Sequence, residues 1–366
     1  MHYKVIMMNL QSNKITFLFI LIVFPLIVMG QNNLNVKLAN EFFKEGDYLK
    51  ASELYSNLYG KHKSRNYYQN LIECYFKLNQ IDNAENLVKK HSKIDKNVSI
   101  LVDFAHVYKL KEEDKKSKKK FNALFKQLEL NPKLIQTAAN KLTKYNYLED
   151  AIRAYEIALK TSSKSTYRFK LAQLYGQLND IEMMYENYIE VVISNKVYLK
   201  NVKISLTRTI SSDSENENNQ LLKNVLLNKV QQSNNQTISE LLIWLFVQEK
   251  NFGAALDQEK AMDQKWNLNQ KRVFDLGLIC RKNKAFDIAL QCYDYITEVG
   301  TMSIYFLDSQ LAILAVKREL LAASSTAKKE NWLDLEYDFI ESLNKLSMTI
   351  SFQNLILFQK RLVYSI

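Results

Sequence analysis

Small and apolar residues return along this chain at a period close to 34, and the phase of their return predicts helices in pairs. The first series is Ala39, Ile72, Ala105, Ala139 and Ala172; three positions later come Phe42, Tyr75, Tyr108, Leu142 and Tyr175. Twelve residues after each member of the first series stand Ala51, Ala84, Ser117, Ala151 and Met184, and four beyond these Tyr55, Val88, Phe121, Tyr155 and Tyr188. Spacings of three and four put residues on one helical face. A small side chain on each of two antiparallel helices lets their backbones approach, and the ring one turn away fills the gap beside the contact. Each pair keeps an apolar stripe that only the next pair covers, so the pattern predicts a stack rather than one closed core.

The period weakens after Ile193. The acidic, Asn-rich stretch Ser211–Gln220 reads as an enlarged turn inside a degenerate sixth pair, with a helix over Leu221–Gln231 after it. Ile243, Phe246 and Ala255 restore the phase as a seventh copy, although Glu259 stands where a ring is expected. Gly277, Cys280, Ala289 and Tyr293 make an eighth. Residues 304–347 predict two longer helices broken near Ser324–Thr326, and Phe352–Ile366 a final amphipathic helix that lacks a capping neighbour. The organisation expected is a signal peptide over 1–30, five repeats over 33–193, a degenerate repeat and two further repeats over 194–300, and C-terminal helices over 301–366 that either are shortened at their end or dock elsewhere.

These residues carry a family resemblance. The set resembles the tetratricopeptide repeat, which places small residues and aromatics at the same offsets; Tyr147–Lys160, YLEDAIRAYEIALK, is the clearest copy, and the stretch from Ala39 is close behind. The resemblance implies an all-α fold, a right-handed α-α superhelical solenoid of helix hairpins whose first helices line a concave face. It also implies which residues face that groove: Asn40 with Phe43, Glu73 with Phe76, His106 with Lys109, Asn140 with Thr143, and Gln173 with Gly176. Some members seize a C-terminal carboxylate with a lysine four residues before the first groove asparagine. Here that place holds Val36, so capture of a chain terminus is not expected.

Composition supports this picture. With 7 glycines and 2 prolines in 366 residues, the chain is poor in the turn residues that many-stranded folds need. Lys4 and Lys14 precede the apolar run Ile15–Met29, which is short for a bilayer span and reads as a secretory signal cleaved between Gly30 and Gln31. Cleavage removes two lysines and no acid, lowering the formal charge from +11 to +9. Much of that excess lies in Lys109–Lys120, a lysine run expected on a solvated helix face. Three cysteines, Cys74, Cys280 and Cys292, are too few for a disulfide framework and are expected as buried thiols.

Candidate chemistry changes the picture little. The glycines form no phosphate-cradling loop, and His2, His62, His91 and His106 sit in no metal-ligand spacing, so neither cofactor nor metal is expected. Pentatricopeptide-like reading of RNA is not expected, because lysine is concentrated in one segment rather than recurring in each pair. Taken together with the resemblance to exported tetratricopeptide proteins of Gram-negative bacteria, the expectation is a non-enzymatic scaffold of the periplasm or cell envelope. It would grip a protein partner along the concave face, with membrane contact only through an uncleaved N-terminal segment. The alternatives are a membrane-anchored envelope assembly or adhesion component and, further off, an enzyme with a dispersed site around His106.

Overall fold

The computed structural model describes residues 34–161 and 164–349. The leader and the segment Phe352–Ile366 lie outside the described residues. Among those described there are α-helices, short 3-10 turns and no strand, which is the all-α architecture that the periodicity predicts. The chain divides into two compact units, at residues 163 and 164.

The first unit holds four pairs: α1 (34–45) with α2 (Tyr48–His62), α3 (Arg65–Lys77) with α4 (Ile81–His91), α5 (Ser99–Leu110) with α6 (Asp114–Leu130), and α7 (Ile135–Lys144) with α8 (Leu148–Thr161). The second holds α9 (Ser165–Gln177) with α10 (Ile181–Ser194), α11 (Leu199–Leu206) with α12 (Glu217–Gln232), α13 (Gln236–Gln248) with α14 (Phe252–Trp266), and α15 (Lys271–Lys282) with α16 (Phe286–Val299). Two longer helices follow, α17 (Phe306–Ala323) and α18 (Lys329–Thr349).

The series read from the sequence are the seams of these pairs. Ala39, Ile72, Ala105, Ala139 and Ala172 are buried, as are Ala51, Ala84, Ser117, Ala151 and Met184. The rings Tyr55, Tyr155 and Tyr188 fill the space beside them. In the eighth copy, a Cβ added to Gly277 would lie 2.6 Å from Cε1 of Tyr293, so the ring occupies the place of any side chain there.

The turn inside a pair is built alike in both units. A residue in the left-handed region ends the first helix: Gly46 (φ 83°), Asn79 (55°), Glu112 (58°), Asn146 (61°), Asn179 (59°), Lys250 (57°) and Lys284 (62°). The amide after it donates to the carbonyl five residues back, from Asp47 to Phe42 at 2.9 Å, Gln80 to Tyr75 at 2.8 Å and Ala285 to Cys280 at 2.9 Å. This bond satisfies a carbonyl that the helix end would otherwise leave open, and Gly or Asn adopts the required φ most cheaply. Asp47, Asp180 and Asn251 then cap the second helix by accepting from the amide three residues on.

The sixth pair departs from this plan and corrects the turn read over Ser211–Gln220. Helix α12 begins at Glu217, so the turn is shorter at its C-terminal side than expected. Asn216 caps the helix, and the buried Asn219 side chain accepts from the Ser211 amide and donates to the carbonyls of Ser211 and Asp213. An amide that satisfies three loop groups at once replaces the regular left-handed turn. The three cysteines are free and buried.

Candidate functional site

The first-helix side of the first unit gathers some of the predicted groove residues and not others. Glu73 on α3 pairs with Lys144 at the end of α7. Phe76, one turn further along α3, meets His106 edge-on at 4.8 Å and Tyr145 at 5.7 Å between ring centroids. The His106 ring stacks on Tyr145 at 4.2 Å, and its Nδ1 shares a hydrogen bond with the Tyr147 hydroxyl at 2.9 Å. Glu73, Phe76 and His106 therefore form one cluster, closed by residues from α7 and the turn after it.

Beneath this cluster lies a buried carboxylate. Asp103 of α5 is 1% exposed; it accepts from the Tyr68 hydroxyl at 2.9 Å and from the Tyr145 hydroxyl, and Lys141 Nζ stands 2.9 Å away. One side chain thus ties α3, α5 and α7 together. Burial dominates the titration here. It pushes His106 down to about 4, with Asp103 opposing and Lys141 assisting, and holds the Tyr145 phenol well above its usual range. Tyr147 is pushed up to about 12 by burial, with the charge of Asp150 adding to it.

The remaining predicted residues stand apart. The exposed Asn40 accepts from the Tyr55 hydroxyl at 2.7 Å, and Phe43 packs edge-on against Tyr48 at 5.6 Å. Lys109 pairs with Asp114 at 2.8 Å at the mouth of a cavity of about 320 Å³ that Phe121, Phe125 and Tyr147 also line. Asn140 is exposed, and the Thr143 hydroxyl donates back to the Ala139 carbonyl at 2.9 Å. Gln173 belongs to the second unit, where it accepts from Lys170 at 3.1 Å.

The hairpins, their phased small residues and their recurring left-handed turn are now established in both units. The described chain is an array of tetratricopeptide-like hairpins. No family model matches the sequence, and no curated protein matches it. Among solved structures it is similar to the C-terminal part of a tetratricopeptide repeat protein from Cytophaga hutchinsonii, at 12% identity and a TM-score of 0.29, covering 82% of this chain and 98% of that one. A tetratricopeptide repeat protein from Parabacteroides merdae gives 12% identity and a TM-score of 0.28 over 77% and 98%. The tetratricopeptide domain of P58(IPK) gives 14% and 0.23 over 81% and 99%. Hairpin phase, not these superpositions, carries the assignment.

The second unit of the array holds a site that the groove residues chosen from the first five copies do not include. On its first-helix side, α11, α13 and α15, together with Glu259 of α14, line an open cavity of about 210 Å³. Ile243, Trp244, Val247, Leu276 and Ile279 make the apolar wall, and Lys203, Glu240, Arg272 and Asp275 the polar one. Arg272 grips the buried Glu259 with two hydrogen bonds, at 2.8 and 2.7 Å, which is why a carboxylate is tolerated at the ring position of the seventh copy. Burial still raises the Glu259 carboxyl against that grip. The sequence carried a signal for this wall. Trp244 and Val247 directly follow Ile243 and Phe246, the relation that selects Asn40 and Phe43 in the first copy.

Among the described residues no group of His, Cys, Asp and Glu is arranged to hold a metal ion. No described helix is long and apolar enough to cross a membrane.

Proposed function

We propose that this chain is a non-enzymatic scaffold of the periplasm or cell envelope that binds a protein partner on the first-helix side of its hairpins. The observation that carries the proposal is where the side chains go. The small and ring positions are consumed between helices, whereas Asn40, Phe43, Asn140 and Trp244, each one residue beyond such a position on the same first helices, remain at least partly open. A row of amides beside half-buried rings suits an extended or helical segment of another protein, which needs both hydrogen bonds and apolar contact. The histidines are tied between packed helices: Nδ1 of the buried His91 shares a hydrogen bond with the Tyr59 hydroxyl at 3.0 Å, with Asp95 3.5 Å from its Nε2, and Nδ1 of the half-buried His106 shares one with the Tyr147 hydroxyl.

The test is site-specific photo-crosslinking in the native host. A crosslinker at position 43 is expected to yield discrete protein adducts, and one at Glu53, exposed on α2, none. Adducts of equal yield from both positions would remove the first-helix side from the mechanism. Export is checked by N-terminal sequencing of the native protein: a start at Gln31 agrees with cleavage, and a start at Met1 favours the anchored alternative.

A further inference from the structure

We propose that the cavity of the second unit receives one large apolar side chain of the partner segment, and that an aspartate or glutamate next to it in that segment pairs with Lys203. The proposal rests on the scaffold reading above and names the chemistry of what is bound.

Three observations carry it. The first is size: about 210 Å³ lies below the roughly 300–1,000 Å³ of pockets that enclose whole small molecules, and suits a single side chain. The second is the wall. Trp244 and the branched residues around it offer the aromatic and aliphatic contact by which single anchor residues dominate protein interfaces. The third is charge. Glu240 receives Lys196 at 2.8 Å, Glu259 receives Arg272, and Asp275 receives Lys271 at 2.7 Å. Each acid on the cavity thus has its cation, and one cation is left over. Lys203 has no carboxylate within pairing distance among the described residues; its ammonium lies 6.0 Å from the centroid of the Trp244 ring, at the outer limit of a cation–π contact. Burial lowers its proton affinity, with Glu240 and Glu259 opposing from beyond pairing distance and Arg272 assisting.

The carboxylate is assigned to a side chain within the segment rather than to a chain terminus. A terminal carboxylate held beside its own residue needs several donors at a fixed spacing, and no amide or hydroxyl side chain lines this cavity. A carboxylate on its own stem reaches a single ammonium while the neighbouring side chain enters the cavity.

The experiment selects random heptapeptides, displayed at the N-terminus of a coat protein so that none has a free carboxyl end, on the protein from Gln31 to Ile366. The selected sequences are expected to place Asp or Glu within two positions of Phe, Leu, Ile or Trp. Recovery should fall at least tenfold on Lys203→Met and persist on Lys203→Arg. A synthetic copy of the best sequence with its acid changed to the amide should bind the unaltered protein at least tenfold more weakly, a comparison that needs no variant protein to fold. Selected sequences without an acid, equal binding of acid and amide forms, or no enrichment would each overturn the proposal. Crosslinking at position 43 decides the scaffold reading separately, since that position lies in the first unit.

Discussion

The two units use one hairpin plan and finish their first-helix sides differently. In the first, the end of α7 supplies Lys141, Lys144 and Tyr145, which reach Asp103 on α5 and Glu73 and Phe76 on α3. There the buried Asp103 is matched by Lys141, and Glu73 by Lys144. In the second, α11 has 8 residues where its neighbours α13 and α15 have 13 and 12, and it contributes Lys203 without an acid to meet it. The regular repeats thus use Glu73, Asp103, Lys141 and Lys144 as internal ties, whereas the degenerate repeat brings Lys203 to a cavity without a paired carboxylate. Loss of repeat regularity marks where a binding feature is to be sought.

Removing one lysine from each unit tests this contrast most severely. Lys141 is 8% exposed and faces an Asp103 that is 1% exposed, so Lys141→Met leaves a buried anion with two phenol donors and no cation. Such a loss costs about 3–5 kcal/mol. The expected outcome is a large fall in the denaturant midpoint of the first unit, largely reversed by adding Asp103→Asn. Lys203→Met removes a cation that no carboxylate pairs among the described residues, and should change stability by less than about 1 kcal/mol. Equal losses from the two variants would mean that the units do not differ as described.

Acidification gives the next effect in size. His106 is held neutral down to about pH 4, whereas an imidazole in the unfolded chain takes its proton near 6.5. The unfolded state therefore binds more protons in this interval. Stability from His106 is whole above about pH 6.5 and lost as pH falls toward 4, amounting to about 2 kcal/mol once its partial exposure is allowed for. Asp103 opposes the shift and Lys141 reinforces it; Tyr145 and Tyr147, the other groups in contact, stay neutral throughout. His106→Phe should flatten the stability profile between pH 6.5 and 4, leaving the contribution of His91, whose pKa burial also lowers. An unchanged slope would place the acid sensitivity elsewhere.

Much of the fold was legible in sequence because small residues and rings recur only where helices touch. Ala39 and Ala139 of the first series and Ala84 and Ala289 of the second return in phase, and each is buried. The groove was less legible for a definite reason. The rule that residues next to core positions face inward reads orientation along one helix, but it cannot tell whether a neighbouring helix covers them. Phe76 and His106 meet residues about 70 and 40 positions away, Tyr145 and Tyr147, which no local pattern connects to them. Asp103 did leave a trace, as the one acid within the apolar stretch Ser99–Leu110. In the second unit the same rule, continued to the seventh copy, selects Trp244 and Val247. Lys203 stays beyond its reach because α11 has lost the repeat.

The smallest effect concerns what the units share. Glu112 and Lys284 occupy the left-handed turn position that is Asn79, Asn146 and Asn179 elsewhere, at φ 58° and 62°. A long side chain pays for this conformation through contact between Cβ and the following carbonyl, and asparagine tolerates it better. Glycine would relieve the contact too, but it also loosens the unfolded chain, so asparagine isolates the folded-state term. Glu112→Asn and Lys284→Asn should each stabilise their own unit by about 0.5 kcal/mol, read as a rise in denaturant midpoint. Neither should alter peptide selection at the cavity. Equal gains in the two units would show that the turn is one device repeated, while the lysine pair shows the walls to be two. A gain confined to Glu112→Asn would mean that the hairpin itself, and not only the side it presents, has diverged after the degenerate sixth repeat.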